Sequence, residues 1–246
     1  MAENSLRVHP KGYARIDSLG KTYAPEGKTV RALDGFSLEI EGGSFAAVVG
    51  KSGCGKTTLL KCVAGLEQPD RGKVIFRGGK IGIMFQDPRL FPWLTVKGNL
   101  ALALPGKEKK SPLLDETLAL VGLEGWGGAW PRQLSGGMAQ RASLARCLCR
   151  KPDLLLLDEP LSALDSFTRT HLRKELEKIW RRLGLTVVLV THDIEEAVYL
   201  GDRVILMDRG KVNREFNVPL RRPRDFRDGS FQKICAAIDS AAGNLP

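Results

Sequence analysis

A glycine-rich segment near position 50 has the residue types and the spacing that bind phosphate groups. Four residues separate Gly50 from Gly55-Lys56-Thr57, which is the pattern of a P-loop. In such a loop the glycines let successive backbone N–H groups converge on phosphate oxygens at the positive end of the following helix. Lys56 would reach the β- and γ-phosphates, and the hydroxyl of Thr57 would hold Mg²⁺. The segment therefore predicts a nucleotide phosphate site, because a chance glycine turn need not lie between a buried strand and a helix.

Two acidic residues follow a run of four leucines further along the chain. The run at 154–157 suits a buried strand, and Asp158-Glu159 comes at the edge where open α/β sheets bind ligands. Asp158 would hold Mg²⁺ through water, and Glu159 would polarise the attacking water. An ordinary acid pair at a helix entry is the alternative. The P-loop upstream favours the catalytic interpretation.

A serine and two glycines, Ser135-Gly136-Gly137, open a helical pattern. Their hydroxyl and amide groups would form a second anion site at a helix N-terminus. Taken alone, the same residues could serve only as a helix N-cap. From the residues themselves both interpretations stay open.

These motifs need a framework that brings the ends of several strands together. Continuous apolar runs at Phe45–Val49, 154–157 and 185–190 suit strands that are buried on both faces. Each run leads towards a helical pattern, and the repeated order of strand and helix predicts a parallel α/β sheet. The helical patterns that follow these runs are 56–64, Ser166–Leu183 and Ile194–Leu200.

Two further patterns predict antiparallel pairing. Residues 36–41 alternate apolar and polar side chains, and the first fifty residues are predicted to be rich in β-structure. Residues 204–207, a turn at 208–210 and Val212 predict a hairpin at one edge of the sheet. The predicted fold class is α/β, with a mostly parallel central sheet and an antiparallel β part.

The middle of the chain differs from the rest in composition and in its predicted secondary structure. Proline and glycine interrupt residues 87–150, and helical patterns cover 113–121 and 137–150. We interpret 87–150 as a mostly helical insertion into an α/β core formed by 1–86 and 151–246, all within one domain. The basic cluster at 221–224 is interleaved with acidic residues and is predicted to be solvated surface.

Composition bounds the class of protein without selecting its partner. The 246 residues include 38 basic and 28 acidic side chains, giving a net charge of +10, which suits nucleic acid, an acidic membrane surface or phosphate ligands alike. No apolar stretch approaches the ~18 residues of a membrane span, and residues 1–12 lack the apolar run of a secretion signal. Five cysteines at irregular spacings predict buried thiols in a reducing cytoplasm rather than disulfides; they are Cys54, Cys62, Cys147, Cys149 and Cys235.

The signature segment, residues 134–141, lies between the P-loop and the Asp-Glu strand, and with it the chain resembles the ATPase subunit of ATP-binding cassette (ABC) transporters over nearly its whole length. The resemblance implies that Gln86 touches Mg²⁺ and the attacking water, and that His192 contacts the γ-phosphate. It also implies that Tyr23 stacks on adenine, although a structural tyrosine is the alternative. Residues 162–165 match the loop that crosses the dimer interface of that family.

The motifs and the resemblance together give a set of expected site residues. Those expected to contact ATP are Tyr23, Gly50, Lys51, Ser52, Gly53, Cys54, Gly55, Lys56, Thr57, Thr58, Ser135, Gly136, Gly137 and Asp165. Those expected to act in hydrolysis are Glu159, His192, Gln86 and Lys56. Those expected to hold Mg²⁺ are Thr57, Gln86 and Asp158.

Two details refine the resemblance. Met138 stands where many members of the family carry glutamine, but Ser135 and the glycine amides that would meet phosphate are unchanged. Residues 85–94 and the signature segment are similar to the importer branch that handles nitrate, aliphatic sulfonates and taurine. The narrower resemblance therefore implies solute uptake.

The resemblance also implies an assembly. A homodimer would sandwich two ATP molecules, with each signature segment covering the nucleotide of the other copy. The dimer would work at the cytoplasmic face of the membrane on separate transmembrane subunits, docking near Gln86, and indirectly with a solute-binding protein. A soluble ABC-type ATPase acting on nucleic acid or ribosomes is the alternative. One cassette with a short insertion favours transport.

Overall fold

Strands of two kinds follow from the two kinds of apolar pattern. The computed structural model describes residues 12–24 and 29–243; residues 1–11, where the sequence shows no apolar run, lie outside the described residues. The strands in chain order are β1 (Tyr13–Tyr23), β2 (Val30–Ile40), β3 (Phe45–Val49), β4 (Arg71–Arg77), β5 (Ile81–Met84), β6 (Leu154–Asp158), β7 (Thr186–Thr191), β8 (Arg203–Asp208) and β9 (Lys211–Asn217).

These strands form one antiparallel and one mostly parallel sheet. The antiparallel sheet has the order β2-β1-β4, and the larger sheet has the order β5-β6-β7-β3-β8-β9. In the larger sheet only the β8–β9 pair is antiparallel, as the predicted edge hairpin. The predicted fold class is confirmed.

Helices cover the sheet and fill the stretch between β5 and β6. They are α1 (Lys56–Val63), α2 (Val96–Ala101), α3 (Leu113–Leu120), α4 (Gly136–Leu148), α5 (Ser166–Leu183), α6 (Ile194–Leu200) and α7 (Gly229–Gly243). The predicted bounds of α5 and α6 are confirmed to the residue. In the described part of the chain, every helix is too short or too polar to span a bilayer.

The hydrophobic core lies on both faces of the parallel sheet. Every residue of β3, β6 and β7 is buried. Because side chains alternate along a strand, Ala46 and Val48 join one apolar cluster with α1 and the antiparallel sheet. Ala47 and Val49 join a second cluster, which extends into α2, α3 and α4. The helical insertion therefore shares its core with the sheet.

The strand order sets what can meet at the carboxyl edge of the sheet. β7 lies between β6 and β3, with Val49 opposite Thr191 and Asp158 opposite Val190. β5 borders β6, with Met84 opposite Leu157. The segments that follow β5, β6, β7 and β3 therefore emerge side by side.

The prediction of a solvated basic cluster at 221–224 is wrong for two of its arginines. Arg224 is 7% exposed, and its guanidinium donates to the carbonyls of Val198, Tyr199, Gly201 and Val218. Burial lowers the pKa of Arg224 to about 10. Arg222 donates to Leu200 and Asp202 in the same region. These arginines satisfy the carbonyls at the end of α6, a role that charge pattern alone does not reveal.

All five cysteines are buried free thiols, as predicted. Burial raises the pKa of Cys147 to about 12, and its thiol donates to the carbonyl of Ile83 at 3.1 Å. The thiols therefore behave as small apolar side chains.

Candidate functional site

The glycines of the P-loop are required by close backbone contacts. Gly55, the N-cap of α1, has φ +108°, and a Cβ there would lie 2.0 Å from the carbonyl oxygen of Ala32. A Cβ on Gly50 would lie 2.3 Å from the carbonyl oxygen of Met207. The loop is thus wedged between β2 and β8. No side chain caps α1, so its first N–H groups are available to an anion.

The loop holds its lysine inside. Lys56 is 5% exposed, and its ammonium donates to the carbonyl oxygens of Gly50 at 2.7 Å and Lys51 at 3.1 Å. A buried ammonium needs such acceptors. The loop carbonyls therefore hold the charge of Lys56 next to the helix N-terminus.

Asp158 faces the P-loop across the gap between β6 and α1. The hydroxyl of Thr57 donates to Asp158 Oδ1 at 3.1 Å. Asp158 is 5% exposed, and burial raises the pKa of its carboxyl above the usual range, while the bond from Thr57 opposes the rise. A hydroxyl and a carboxylate are hard oxygen donors of the type that Mg²⁺ prefers, completed in nucleotide sites by phosphate and water.

Glu159 and His192 meet although 33 positions separate them. His192 Nδ1 lies 3.1 Å from Glu159 Oε2. Glu159 has φ +46°, and its N–H donates to the carbonyl of Val190 at 2.8 Å. This left-handed conformation is costly for a side chain other than glycine or asparagine. The turn directs Asp158 to the P-loop and Glu159 to His192.

Gln86 joins the same edge from β5. Its amide donates to the hydroxyl of Ser162 at 3.2 Å, and that hydroxyl donates to the carbonyl of Glu159 at 3.0 Å. The backbone carbonyl of Gln86 accepts from the buried amide of Gln140 on α4 at 2.8 Å. Gln86 therefore connects the helical insertion to the segment that carries Glu159.

The signature segment starts α4 and lies against the start of α5. Ser135 is exposed, and its hydroxyl oxygen accepts from the N–H of Met138 at 3.3 Å, so Ser135 is an N-cap. A Cβ on Gly137 would lie 2.6 Å from Cγ2 of Thr168, so the helices approach closely there. Asp165 caps α5. Hydrogen bonds from the backbone and side chain of Thr168 lower the pKa of the Asp165 carboxyl.

The predicted site residues form two groups. The first group lies at the sheet edge. In it Lys56 contacts the P-loop backbone, Thr57 contacts Asp158, and Glu159 contacts His192. The second group consists of Ser135, Gly136, Gly137 and Asp165 at the starts of α4 and α5. Within residues 12–24 and 29–243, no side-chain hydrogen bond or ion pair joins the two groups. Tyr23 ends β1 half-exposed, with the ammonium of Lys21 5.5 Å from its ring centroid.

The motifs did not reveal the polar network behind His192. Asp193 caps α6 by accepting from the N–H of Glu196 at 2.9 Å, and Glu196 accepts from the hydroxyl of Thr191 at 2.5 Å. Burial raises the pKa of Glu196 to about 7. An acidic cap followed three residues later by glutamate was the signal in the sequence.

Metal-binding capacity rests on the first group. Among the described residues, no cluster of three or more His, Cys, Asp or Glu side chains could hold a metal ion. Thr57 and Asp158 supply two oxygen ligands, which suits an ion that shares its coordination sphere with a nucleotide. The donor set thus fits Mg²⁺ bound together with phosphate.

Comparisons with known proteins agree with this geometry. A family model described as "ABC transporter" matches residues 33–162. The chain is 46% identical over 224 residues to "Aliphatic sulfonates import ATP-binding protein SsuB 1" of Streptomyces avermitilis, covering 91% of this chain and 84% of that protein. It is 42% identical over 229 residues to the SsuB protein of Bacillus cereus, covering 89% of this chain and 91% of that protein.

A solved structure of an ATP-binding cassette has a fold similar to that of this chain. The dimeric post-hydrolysis state of the ATP-binding cassette MJ0796, bound to ADP and Pi, superposes with a TM-score of 0.75 at 33% identity. The match covers 85% of this chain and all of that one.

Proposed function

The chain belongs to the ABC transporter family and is an ATPase, and from this premise we propose that it drives solute import as a homodimer on separate transmembrane subunits. The observation that carries the proposal is the convergence at one sheet edge of the P-loop, Asp158, Glu159 and His192. Nucleotide binding, water activation and a switch residue thus share one site.

Nucleotide binding is the work of the P-loop in this proposal. The uncapped N–H groups at the start of α1 donate to phosphate oxygens, and Lys56 exchanges its carbonyl partners for phosphate oxygens. Mg²⁺, when bound, neutralises phosphate charge, and Thr57 and Asp158 are the residues that hold it. Ring stacking on Tyr23 binds the adenine.

Hydrolysis uses the pair of Glu159 and His192. Glu159 accepts a proton from the attacking water as the water oxygen bonds to the γ-phosphorus and the bond to the β-phosphate oxygen breaks. His192 Nδ1 contacts the Glu159 carboxylate, and a contact from Nε2 to the γ-phosphate would require an N–H on both ring nitrogens, because both partners are hydrogen-bond acceptors. Gln86 contacts the same segment through Ser162 and positions the water.

A second copy of the chain completes the site in this proposal. Ser135 and Gly136 are exposed. Among the described residues, neither of them forms a side-chain hydrogen bond or ion pair with the group at the sheet edge. A two-fold dimer would place each signature segment over the nucleotide of the other copy. The dimeric state of the ADP-bound relative supports this arrangement.

The helical part provides the membrane contact in this proposal. We assign 1–86 and 151–246 to nucleotide binding, and 87–150 to the signature segment and to docking. Trp93 is 67% exposed and Phe91 is 41% exposed, with ring centroids 5.2 Å apart. This exposed aromatic pair, five and seven positions beyond Gln86 in the chain, suits a transmembrane partner on the cytoplasmic side.

The cargo we propose is an aliphatic sulfonate. The proteins of Streptomyces avermitilis and Bacillus cereus, named as sulfonate import subunits, support this choice over nitrate and taurine. A solute-binding protein would deliver the cargo to the membrane subunits. The alternative of an ATPase acting on nucleic acid or ribosomes is not favoured by these relatives.

The first prediction tests the role of Glu159. Glu159→Gln removes the base but keeps the shape, so we expect ATP binding to persist while turnover falls by at least ~10²-fold. Binding of a fluorescent ATP analogue and phosphate release measure the two quantities. Glu195→Gln makes the same chemical change at an exposed position three residues beyond His192 and should leave turnover unchanged. Near-normal hydrolysis by Glu159→Gln would remove Glu159 from the mechanism.

A further inference from the structure

Arg169 on α5 touches two segments of the site at once. One of its guanidinium nitrogens, Nη2, donates to the backbone carbonyl of Leu164 at 2.9 Å. A second guanidinium nitrogen, Nη1, lies 3.7 Å from Oδ2 of Asp193. Leu164 belongs to the linker segment, residues 161–165, and Asp193 belongs to the switch loop, residues 191–193. One side chain therefore bridges the linker segment and the loop that carries His192.

The carboxylate of Asp193 is held from several sides. Its Oδ1 accepts from the N–H of Glu196 at 2.9 Å, and its Oδ2 also accepts from Arg173 at 3.2 Å. The N–H of Asp193 donates to the hydroxyl of Thr191 at 3.1 Å. These contacts fix the backbone on both sides of His192, so a displacement of Asp193 would move His192 with it.

The two arginines that face Asp193 differ in what else they bind. Arg173 is 6% exposed, and its guanidinium lies 5.1 Å from the ring centroid of Phe226, so it anchors the switch loop to the C-terminal part of the chain. Arg169 is about one-third exposed and is the arginine that contacts the linker segment. Removing Arg169 should therefore leave folding nearly intact.

We propose that Arg169 is a positioning residue for His192, which transmits the position of the linker segment to the switch loop. The inference rests on the proposed function as a homodimer, in which residues 162–165 of the linker segment would cross the dimer interface, as the family resemblance implies. A planar guanidinium offers separate N–H groups to the two segments, whereas a lysine ammonium is a point charge. Through Arg169, each site would hold His192 in place only when the linker segment is in place.

The test compares Arg169→Ala with wild type in the purified full chain. We expect kcat for ATP to fall about tenfold, because His192 loses its fixed orientation. KM and the affinity for a fluorescent ATP analogue should stay within about twofold. Arg169→Lys keeps the charge but cannot contact both segments, so its kcat should also fall. This variant keeps the test decisive if Arg169→Ala folds poorly.

A double-mutant cycle separates positioning from general structure. In a His192→Ala background, Arg169→Ala should lower kcat further by less than about twofold, because there is no imidazole left to position. Lys174→Ala is the control, since Lys174 is an exposed cation on the same helix and forms no ion pair with a described residue. It should hydrolyse ATP at the wild-type rate.

Two results would overturn the inference. One is an Arg169→Ala variant, or an Arg169→Lys variant where the alanine variant is unfolded, that retains wild-type kcat. The other is a decrease in kcat caused by Arg169→Ala that is equally large in the wild-type and His192→Ala backgrounds. The proposed function fails by a different result, namely an absence of ATP hydrolysis by the wild-type chain in the same assay.

Discussion

At the scale of single residues, hydrogen bonds compensate for the burial of polar side chains in the site. Lys56 keeps its ammonium in a nearly closed loop because the carbonyls of Gly50 and Lys51 replace water. Asp158 has a raised pKa because burial penalises its charge, and Thr57 offsets part of that cost. A cation that replaces the Thr57 proton would favour the ionised carboxylate. Nucleotide and metal binding should therefore strengthen each other at Asp158.

Glu196 gives a prediction with a defined pH dependence. Burial raises its pKa to about 7 in the folded chain, above the 4.5 of a solvated glutamate in the unfolded chain. The folded state favours the protonated form, so this contribution to stability is complete below pH ~4.5 and is lost as the pH rises through ~7. Glu196→Gln mimics the protonated form and should raise the free energy of unfolding at pH 8.5 by about 1–3 kcal/mol.

Urea unfolding at pH 5 and at pH 8.5 measures this effect. The gain from Glu196→Gln should be small at pH 5, where the native carboxyl is already protonated. Glu195→Gln, at the neighbouring exposed position, should show little change at either pH. An equal effect of Glu196→Gln at both pH values would contradict the assignment.

At the scale of elements, a short helix organises the loop that displays Trp93. Asn99 on α2 is fully buried. Its amide donates to the carbonyls of Phe91, Leu94 and Thr95, and its oxygen accepts from the N–H of Phe91 at 2.7 Å. One side chain thus replaces the backbone pairing that the proline-rich loop lacks. The proposed docking surface depends on α2 through this residue.

Removal of Asn99 should loosen that loop. Asn99→Ala leaves partly buried backbone groups without the Asn99 amide as partner and opens a cavity at a fully buried position, so we expect the free energy of unfolding to fall by about 2–3 kcal/mol. Chymotrypsin should also cleave faster near Phe91 and Trp93. Lys97→Ala on the same helix breaks only an exposed ion pair with Asp115, which is worth at most about 1 kcal/mol. If both variants unfold and are cleaved alike, Asn99 does not hold the loop.

At the scale of the whole molecule, the site residues form one cluster at the sheet edge and another at the starts of α4 and α5, and no side-chain hydrogen bond or ion pair among the described residues joins them. The sheet edge holds the P-loop, Asp158, Glu159 and His192, while Ser135 lies exposed at the start of α4. An exposed helix N-terminus with glycines is a ready anion site. The arrangement makes sense if closure around ATP brings in a second chain, because the γ-phosphate then touches both halves.

Dimerisation should therefore depend on ATP. Glu159→Gln with saturating Mg-ATP should double in mass from the 27.0 kDa of one chain in light scattering, since hydrolysis no longer opens the dimer. Adding Ser135→Arg to that variant places a bulky cation on the exposed signature segment and should keep it monomeric. A Glu159→Gln chain that stays at the mass of one copy with saturating Mg-ATP would exclude the two-chain sandwich.

The sequence by itself determined the parts that depend on local order. Glycine spacing marked the P-loop at Gly50, and apolar runs marked the buried strands Phe45–Val49 and Leu154–Asp158. Helical periodicity with terminal caps placed Ser166–Leu183 and Ile194–Leu200. These features arise from interactions between residues a few positions apart, so they can be read from the chain. The fold class followed from the repetition of strand and helix.

The tertiary structure decided what depends on strand order and burial. β7 runs between β6 and β3, and this order brings His192 to Glu159 and places Arg169 between the linker segment and the switch loop. The same holds for Arg224, whose charge predicted a solvated surface although five carbonyls surround its buried guanidinium. Contacts between residues some twenty or more positions apart, such as that of Arg224 with Val198, leave no periodic trace in a sequence, because packing rather than spacing brings the residues together.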